Sequence, residues 1–262
     1  MRLLYQEVHN KFESKLKYAH FSQIRESLRQ YSLDDAHGTL RVLDLACGPG
    51  NMGLFSGSIP NVEWYGLELW PSELKQAAQS GAYSGLIQAN LVEKLPLRSS
   101  SADAIVLNEI LMYLGNASDL LAELFDILKP SGILYVYNPI YTIPNFLSFF
   151  KKLGRRIYQS REAVSFDRQC DWKIAARASR INFYSFDSLL EEIRSAGFKI
   201  QGVSGFRIFR NRIRLMRNLE NYRWYRETTK RLAKSNPRLA SDVLVISRKE
   251  SRRPPLVRNL GG

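Results

Sequence analysis

Three glycines near residue 50 have the spacing best suited to ligand chemistry in this sequence. They are Gly48, Gly50 and Gly53, and they follow an apolar run that ends at Leu45. A helix-compatible segment begins near Asn51. Glycines at such a turn let a ligand approach the backbone with no Cβ in the way, and the first N–H groups of the helix point to the same place. The spacing therefore predicts a strand, a ligand-binding turn and a helix.

Two acidic residues narrow the class of ligand. Glu68 lies twenty residues beyond Gly48, as it does in dinucleotide-binding sequences of the pattern G-x-G-x-x-G. Asp44, however, stands on the buried strand where a nicotinamide-binding protein normally has an apolar side chain. A buried carboxylate is costly unless a cation or a hydrogen-bond donor meets it. Asp44 thus favours a ligand with an ammonium group over a dinucleotide, and a carboxylate that caps a local turn is the alternative.

Residues 41–53, RVLDLACGPGNMG, resemble motif I of the class I S-adenosylmethionine-dependent methyltransferases, whose usual text is close to VLDLGCGTG. Ala46 stands here in place of a glycine. The resemblance implies that Asp44 meets the ammonium of the cofactor's methionine moiety and that Glu68 accepts hydrogen bonds from the two ribose hydroxyls. The full set of cofactor contacts that it implies is Asp44, Ala46, Cys47, Gly48, Gly50, Glu68, Leu69, Asn90, Leu91 and Asn108.

Two later segments continue the resemblance. Residues 94–97, KLPL, are similar to the D-x-x-x-L-P-F segment of many family members, with Asn90 where an aspartate usually binds the adenine amino group. An amide oxygen can still accept that hydrogen bond. Residues 128–134, LKPSGIL, are similar to the L-K-P-G-G signature that precedes the fifth strand.

The end of the predicted fourth strand reads NEIL, residues 108–111. Methyltransferases that act on base amino groups typically carry N/D-P-P-Y/F/W here, so the resemblance disfavours base amino methylation. The ends of strands four and five face the crevice in which open α/β sheets bind ligands. We therefore predict that four side chains line the substrate side, namely Asn108, Tyr113, Asn138 and Tyr141. No catalytic residue and no metal ligand is predicted.

Alternating apolar runs and amphipathic segments predict an α/β fold with a doubly wound, mostly parallel sheet. The resemblance implies seven strands in a Rossmann-like order with an antiparallel last hairpin. We expect an N-terminal helical segment at 1–35, a methyltransferase domain at 36–250 with a helical cap insertion at 140–182, and a flexible basic tail at 251–262. A helix is predicted over 116–129, stopped by residues 130–132, with the fifth strand at 133–137. His20 lies in the N-terminal segment, which often folds over the cofactor in the family, but core packing is favoured for its aromatic side chains.

The charge of the chain is unevenly distributed. Residues 1–150 carry 11 Lys and Arg against 15 Asp and Glu, whereas residues 151–262 carry 27 against 10. The basic half predicts an anionic partner, which could be RNA, an anionic membrane surface or a charged substrate. No run reaches the ~18 apolar residues of a membrane span, and two cysteines are too few for a disulfide framework. These features predict a cytoplasmic protein, with peripheral membrane contact as a further expectation.

Three hypotheses of function follow. The first is a methyltransferase that uses S-adenosylmethionine to methylate a small-molecule or lipid-like substrate, whose anionic part the basic half meets. The second is an RNA methyltransferase, in which the arginines contact phosphates and Tyr222 or Trp224 stacks on bases. The third is a non-catalytic scaffold that binds the cofactor. The sequence does not distinguish a monomer from an oligomer.

Overall fold

A seven-stranded sheet forms the centre of the computed structural model, which describes residues 19–33, 38–57, 59–115, 117–140, 184–207 and 222–250. Its strands in chain order are β1 (Leu40–Leu45), β2 (Val62–Glu68), β3 (Gly85–Gln88), β4 (Ala102–Asn108), β5 (Leu128–Pro139), β6 (Phe198–Arg207) and β7 (Asp242–Lys249). The helices are α1 (Ala19–Ser32), α2 (Asn51–Ser56), α3 (Pro71–Ser80), α4 (Ala117–Ile127), α5 (Phe186–Ser195) and α6 (Arg223–Ser235). Short 3-10 helices cover Leu111–Tyr113 and Pro237–Leu239.

The strands lie in the order β3-β2-β1-β4-β5-β7-β6. Every pair from β3 to β5 is parallel, and β7 runs antiparallel to both β5 and β6. The predicted doubly wound, mostly parallel sheet with an antiparallel last hairpin is therefore confirmed. Because the strands from β1 to β5 are parallel, their carboxyl ends meet at one edge of the sheet, and the segments that follow β1, β2 and β4 lie next to each other there.

Apolar side chains cover both faces of the sheet. On one face α1 and α2 pack against the strands through Phe21, Ile24, Leu28 and Phe55, all at most 1% exposed. On the other face α4 and α5 contribute a second buried cluster that includes Leu124. Strands with apolar residues on both faces, as β4 shows, are the expected pattern for a parallel sheet covered by helices on both sides.

The boundary between α4 and β5 differs from the prediction. The helix ends at Ile127, and the strand begins at Leu128, so the KPSG segment lies within β5 and not before it. The ladder to β4 pairs Ala102 with Leu128 and then Ala104 with Ile133, which makes the segment an irregular excursion. The excursion is held by Lys129, whose Nζ donates to both carboxylate oxygens of Asp103 at 2.8 Å.

Three other expectations meet the structure only in part. The helix α1 confirms helical structure in the N-terminal segment from residue 19, and residues 1–18 lie outside the described residues. Residues 141–182 of the expected cap insertion and the basic tail also lie outside them, and Ile140 forms a parallel bridge with Tyr184. Phe198–Arg207 is one strand, which pairs with β7 along its length with register shifts between Ile200 and Gly202 and between Gly205 and Arg207.

Candidate functional site

The glycine turn joins β1 to α2 with a left-handed backbone at several positions. Ala46 has φ 54°, Gly48 φ 54° and Gly50 φ 86°. A Cβ added at Gly48 would meet nothing within 4 Å, whereas a Cβ at Gly53 would lie 2.8 Å from the ring of Tyr83. The glycines therefore serve different purposes. Gly48 leaves open space for a ligand, and Gly53 allows an aromatic ring to pack closely against α2.

The hydroxyl of Tyr83 connects the end of β1 to α2 through two hydrogen bonds. It donates to Asp44 Oδ2 at 2.7 Å and accepts from the Gly53 N–H at 3.2 Å. Asp44 is only 1% exposed. Burial raises the pKa of Asp44 to about 7, the hydrogen bond from Tyr83 opposes that rise, and the charge of Glu68 adds to it. Burial likewise raises the pKa of the Tyr83 hydroxyl well above its usual value, so this hydroxyl stays a donor.

Glu68 ties the turn to the end of β2. Its Oε2 accepts from the Gly48 N–H at 2.9 Å, and its Oε1 accepts from the backbone N–H groups of Leu69 and Trp70 at 2.8 and 3.1 Å. A carboxylate offers about four acceptor positions, so about one remains for a ligand hydroxyl. Glu68 is 6% exposed. The structure thus gives Glu68 a role that the sequence did not suggest, because it orients the glycine turn itself.

Carboxylates dominate the electrostatics of this region. Burial raises the pKa of the Cys47 thiol above its usual range, and the charges of Asp44, Glu68 and Glu73 raise it further. Cys47 is therefore a protonated, packed thiol and not a nucleophile. A cationic ligand is favoured next to these three carboxylates, and a pyrophosphate is not. These acidic surroundings argue against a dinucleotide as the ligand.

The other residues of the predicted cofactor set lie after β2 and β3. Leu69 is 40% exposed beside Glu68. Asn90 closes a local turn, because its Nδ2 donates to Glu93 Oε1 at 2.9 Å and its Oδ1 accepts from the Val92 N–H at 3.3 Å. Leu91 packs partly against the core. An adenine contact by the Asn90 oxygen would have to share the acceptor with this turn.

The ends of β4 and β5 bring Asn108 next to an N-terminal side chain. His20 Nε2 lies 2.9 Å from Asn108 Oδ1, and the imidazole stacks on Tyr137 with ring centroids 3.4 Å apart and an angle of 3°. His20 is 2% exposed. It therefore both packs and reaches the predicted site. Sequence spacing contains no signal for this contact, because 88 residues separate its partners.

The predicted substrate-side residues differ in their surroundings. Tyr113 is half-buried in the 3-10 helix after β4. Asn138 is fully buried, its Nδ2 donates to Pro139 O at 2.8 Å, and its Oδ1 has no partner among the described residues. Tyr141 lies outside them. Asn138 thus offers a buried acceptor near the end of β5.

Two features are absent from the described ranges. No group of three or more His, Cys, Asp and Glu side chains in them is arranged to hold a metal ion. None of the helices in them has the length and apolar character that crossing a bilayer requires.

Comparisons with known proteins agree with this geometry. A model described as a methyltransferase domain matches residues 43–136. Trans-aconitate 2-methyltransferase of Methylobacterium radiotolerans is 34% identical over 98 residues, or 37% of each chain. Ubiquinone/menaquinone biosynthesis C-methyltransferase UbiE of Desulfotalea psychrophila is 27% identical over 172 residues, or 62% of this chain and 66% of the relative. The chain thus spans from about a third to just under two thirds of these two relatives.

A solved structure supports the fold. The S-adenosylmethionine dependent methyltransferase from Mesorhizobium loti superimposes with a TM-score of 0.57 over 90% of this chain and 99% of that chain, at 18% identity. The matched range contains the glycine turn, Glu68 and Asn108. Residues 43–136 are a methyltransferase domain, and the sheet that contains them has the fold of a class I S-adenosylmethionine-dependent methyltransferase. The strand order and antiparallel last hairpin are those that the sequence resemblance implied.

The residues of the methyltransferase domain fit its family's cofactor. S-adenosylmethionine carries a sulfonium and an ammonium group, and both suit a turn surrounded by carboxylates. The open space at Gly48 would admit the part of the cofactor that lies against the backbone of the turn, since a Cβ there meets no protein atom within 4 Å. Asp44 and Glu68, on adjacent strands, would face the methionine and ribose portions respectively.

Proposed function

We propose that this protein transfers a methyl group from S-adenosylmethionine to a small-molecule or lipid-like acceptor with an anionic part. The observation that carries the proposal is the acidic glycine turn, in which Asp44 and Glu68 are buried beside the open position at Gly48. The cofactor supplies the reactive methyl group on its sulfonium. The contribution of the protein is then to hold the two reactants in line and to exclude water.

The relatives' names suggest where the search for an acceptor should begin. They describe a methyltransferase of trans-aconitate, a C-methyltransferase of ubiquinone/menaquinone biosynthesis and, in a further relative, an O-methyltransferase of malonyl-[acyl-carrier protein]. We include small carboxylic acids and quinone-type rings as candidate acceptors for this chain. Asn108, Tyr113 and Asn138 would contact them from the ends of β4 and β5, and Asn138 would accept a hydrogen bond there.

Calorimetry with two matched variants tests cofactor binding. Gly48 and Gly81 both have positive φ, 54° and 65°, and a Cβ at either position meets nothing within 4 Å. Gly48→Ala and Gly81→Ala therefore carry the same backbone strain, but only the first places a methyl group in the proposed ligand space. We expect S-adenosylmethionine to bind the wild type and G81A alike and to bind G48A at least tenfold more weakly, with no NADH binding.

Methyl transfer is the second stage of this test. Radiolabelled S-adenosylmethionine would be incubated with trans-aconitate, related dicarboxylates and quinone precursors, and the product would be extracted and counted. Binding without transfer to any acceptor would favour the scaffold hypothesis. A folded protein that binds NADH instead of S-adenosylmethionine would overturn the proposal.

We also propose that α6 faces an anionic membrane surface, which would give access to a lipid-like acceptor. Four of the seven large hydrophobic side chains that are exposed in the described ranges lie between residues 222 and 239, namely Tyr222, Trp224, Leu232 and Leu239. Exposed cations lie among them at Lys230, Arg231 and Lys234. Aromatic and aliphatic side chains with flanking cations suit the interface of an anionic bilayer. Exposed leucines gain little from RNA phosphates, so the membrane surface is the favoured partner.

Flotation with vesicles tests this surface. We expect the protein to bind phosphatidylglycerol-rich vesicles, to bind pure phosphatidylcholine vesicles weakly, and to be released by salt. Lys230→Glu with Arg231→Glu should reduce binding, whereas Lys75→Glu, an exposed reversal on α3, should reduce it less. Binding of single-stranded RNA with no vesicle binding would overturn the membrane proposal and favour the RNA hypothesis.

A further inference from the structure

The imidazole of His20 is fixed on several sides at the carboxyl edge of the sheet. It stacks on Tyr137, and Phe21 and Phe206 contact it edge-on with ring centroids at 4.5 and 6.0 Å. The helix that carries it is anchored by further hydrogen bonds, from Gln23 to Ser204 and between Ser27 and the Tyr135 hydroxyl, each 2.8 Å long. The position of the ring is therefore set by the fold before any ligand arrives.

The contact with Asn108 has a defined direction. The Oδ1 atom of an asparagine can only accept a hydrogen bond, so His20 Nε2 must be the donor at 2.9 Å. This bond fixes the rotation of the Asn108 amide and leaves its Nδ2 as the group that can donate to a ligand. Asn108 is half-buried, so the amide is accessible at the edge of the sheet.

The place of Asn108 in the sheet indicates which part of a ligand it meets. Leu45 pairs with Leu107, so Asn108 lies beside Ala46 at the start of the glycine turn. Glu68 lies on the other side of β1, because β2 and β4 flank β1. A cofactor that reaches Glu68 with its ribose and crosses the turn therefore directs its amino-acid end toward β4. The carboxylate of that end is an oxygen acceptor suited to an amide N–H.

We propose that His20 is a positioning residue of the methyltransferase site, which orients the Asn108 amide so that its Nδ2 donates to the amino-acid end of S-adenosylmethionine. This inference rests on the proposed function, because it requires cofactor binding at the turn. It makes α1 part of the cofactor site through a hydrogen bond and not only a cover of the core. A neutral hydrogen bond of this kind changes affinity by about two- to tenfold.

Substitutions at His20 separate its two contacts. His20→Phe keeps an aromatic ring that can stack on Tyr137 and removes the donor to Asn108. His20→Gln removes the ring but keeps an amide donor. If the hydrogen bond matters, H20Q should bind the cofactor better than H20F. If only packing matters, H20F should bind as the wild type does and H20Q should be impaired.

Two ligands locate the effect along the cofactor. S-adenosylhomocysteine contains the amino-acid end, and 5′-methylthioadenosine lacks it. By calorimetry on the full chain we expect His20→Phe to lower the affinity for S-adenosylhomocysteine by about two- to tenfold and to leave the affinity for 5′-methylthioadenosine unchanged. Asn108→Ala should do the same. The double variant should lose no more affinity than either single variant, because the two residues act through one contact.

Each result distinguishes the possible failures. If the wild type binds neither ligand, the proposed function is wrong. If the wild type binds both and His20→Phe leaves the preference between them unchanged, the role of His20 is wrong while the proposed function stands. As a structural readout, the side-chain NH₂ signal of Asn108 in ¹⁵N-labelled protein should shift in H20F and be restored toward the wild-type position in H20Q. No shift in H20F would also overturn the inference.

Discussion

Replacement of Asp44 by asparagine should make the protein more stable at neutral and alkaline pH. The pKa of the Asp44 carboxyl is raised from its ordinary value of 3.8 to about 7, chiefly because the group is buried. The folded state therefore binds a proton that the unfolded state releases between these two values. Stability from this group is intact below the unfolded pKa and is lost as the pH rises toward the folded pKa. Asparagine cannot ionise and avoids this loss.

The pKa values set the size of the effect. The difference between an ordinary value of 3.8 and a folded value of about 7 corresponds to about 4 kcal/mol at 1.36 kcal/mol for each tenfold change. The free energy of unfolding of D44N minus that of the wild type should thus rise by up to about 4 kcal/mol between about pH 4 and pH 8. The amide oxygen can still accept from Tyr83, so the hydrogen bond that holds the turn is kept.

Urea denaturation at several pH values measures this difference. Comparing two proteins at each pH cancels the other titrating groups. Asp126→Asn, which removes an exposed carboxyl from α4, is the matched control for the loss of one carboxyl. A difference between D44N and the wild type that does not change with pH would show that Asp44 is ionised at little cost in the folded protein. That result would refute the argument from burial.

The cofactor provides a second measurement on the same residue. If the ammonium of S-adenosylmethionine meets Asp44, binding favours the ionised carboxyl and should release a proton below about pH 7. The heat of binding should then depend on the ionisation enthalpy of the buffer for the wild type but not for D44N. A buffer-independent heat for the wild type would place the ammonium elsewhere.

Three further substitutions test the turn and the opposite edge of the sheet. Gly53→Ala should destabilise the protein by about 1–3 kcal/mol, because its Cβ would lie 2.8 Å from the ring of Tyr83. Ala46→Gly should raise the free energy of unfolding by about 0.5 kcal/mol, because relief of left-handed strain at φ 54° exceeds the gain in unfolded-state entropy. Asp103→Ala should lower the free energy of unfolding by about 2–3 kcal/mol, because the backbone N–H of Arg41 and the ammonium of Lys129 lose their acceptor. Its affinity for the cofactor should not change.

Thermal and urea denaturation, together with calorimetry of S-adenosylmethionine, check these three outcomes. Unchanged stability in G53A would mean that Tyr83 can move without cost. A less stable A46G would mean that Ala46 carries no strain. Loss of cofactor affinity in D103A at a temperature where it is fully folded would contradict the separation between this salt bridge and the ligand edge.

The features predicted correctly from the sequence depend on short-range patterns. The strand before the glycine turn and the acidic end of β2 follow from apolar runs, turn residues and a fixed spacing, and each of these is set within a few residues. The start of β5 was predicted wrongly because proline and glycine at 130–132 normally end regular structure. Here Leu128 already pairs with Ala102 of β4, and the next four residues form an irregular excursion, held by the ion pair of Lys129 with Asp103, before the ladder resumes at Ile133.

The missed parts of the site depend on long-range contacts. Tyr83 meets Asp44 across 39 residues and His20 meets Asn108 across 88, and no local periodicity encodes either pair. The sequence identified Asp44 as a costly buried charge that required a partner. It could not show that a tyrosine hydroxyl of the same chain supplies one hydrogen bond before any ligand binds.

The position of β7 between β5 and β6 affects the order in which a growing chain can fold. All the neighbours of β1, β2 and β3 are complete once Asn108 has been synthesised, so the part of the sheet that carries the glycine turn and Glu68 can form early. In contrast, β6 has β7 as its one neighbour in the part of the sheet that the structure describes, and β7 ends at Lys249. On the ribosome, β6 and the edge of β5 that faces β7 therefore lack their partner strand until residues 242–249 emerge. During that interval they are the strands most exposed to misassembly.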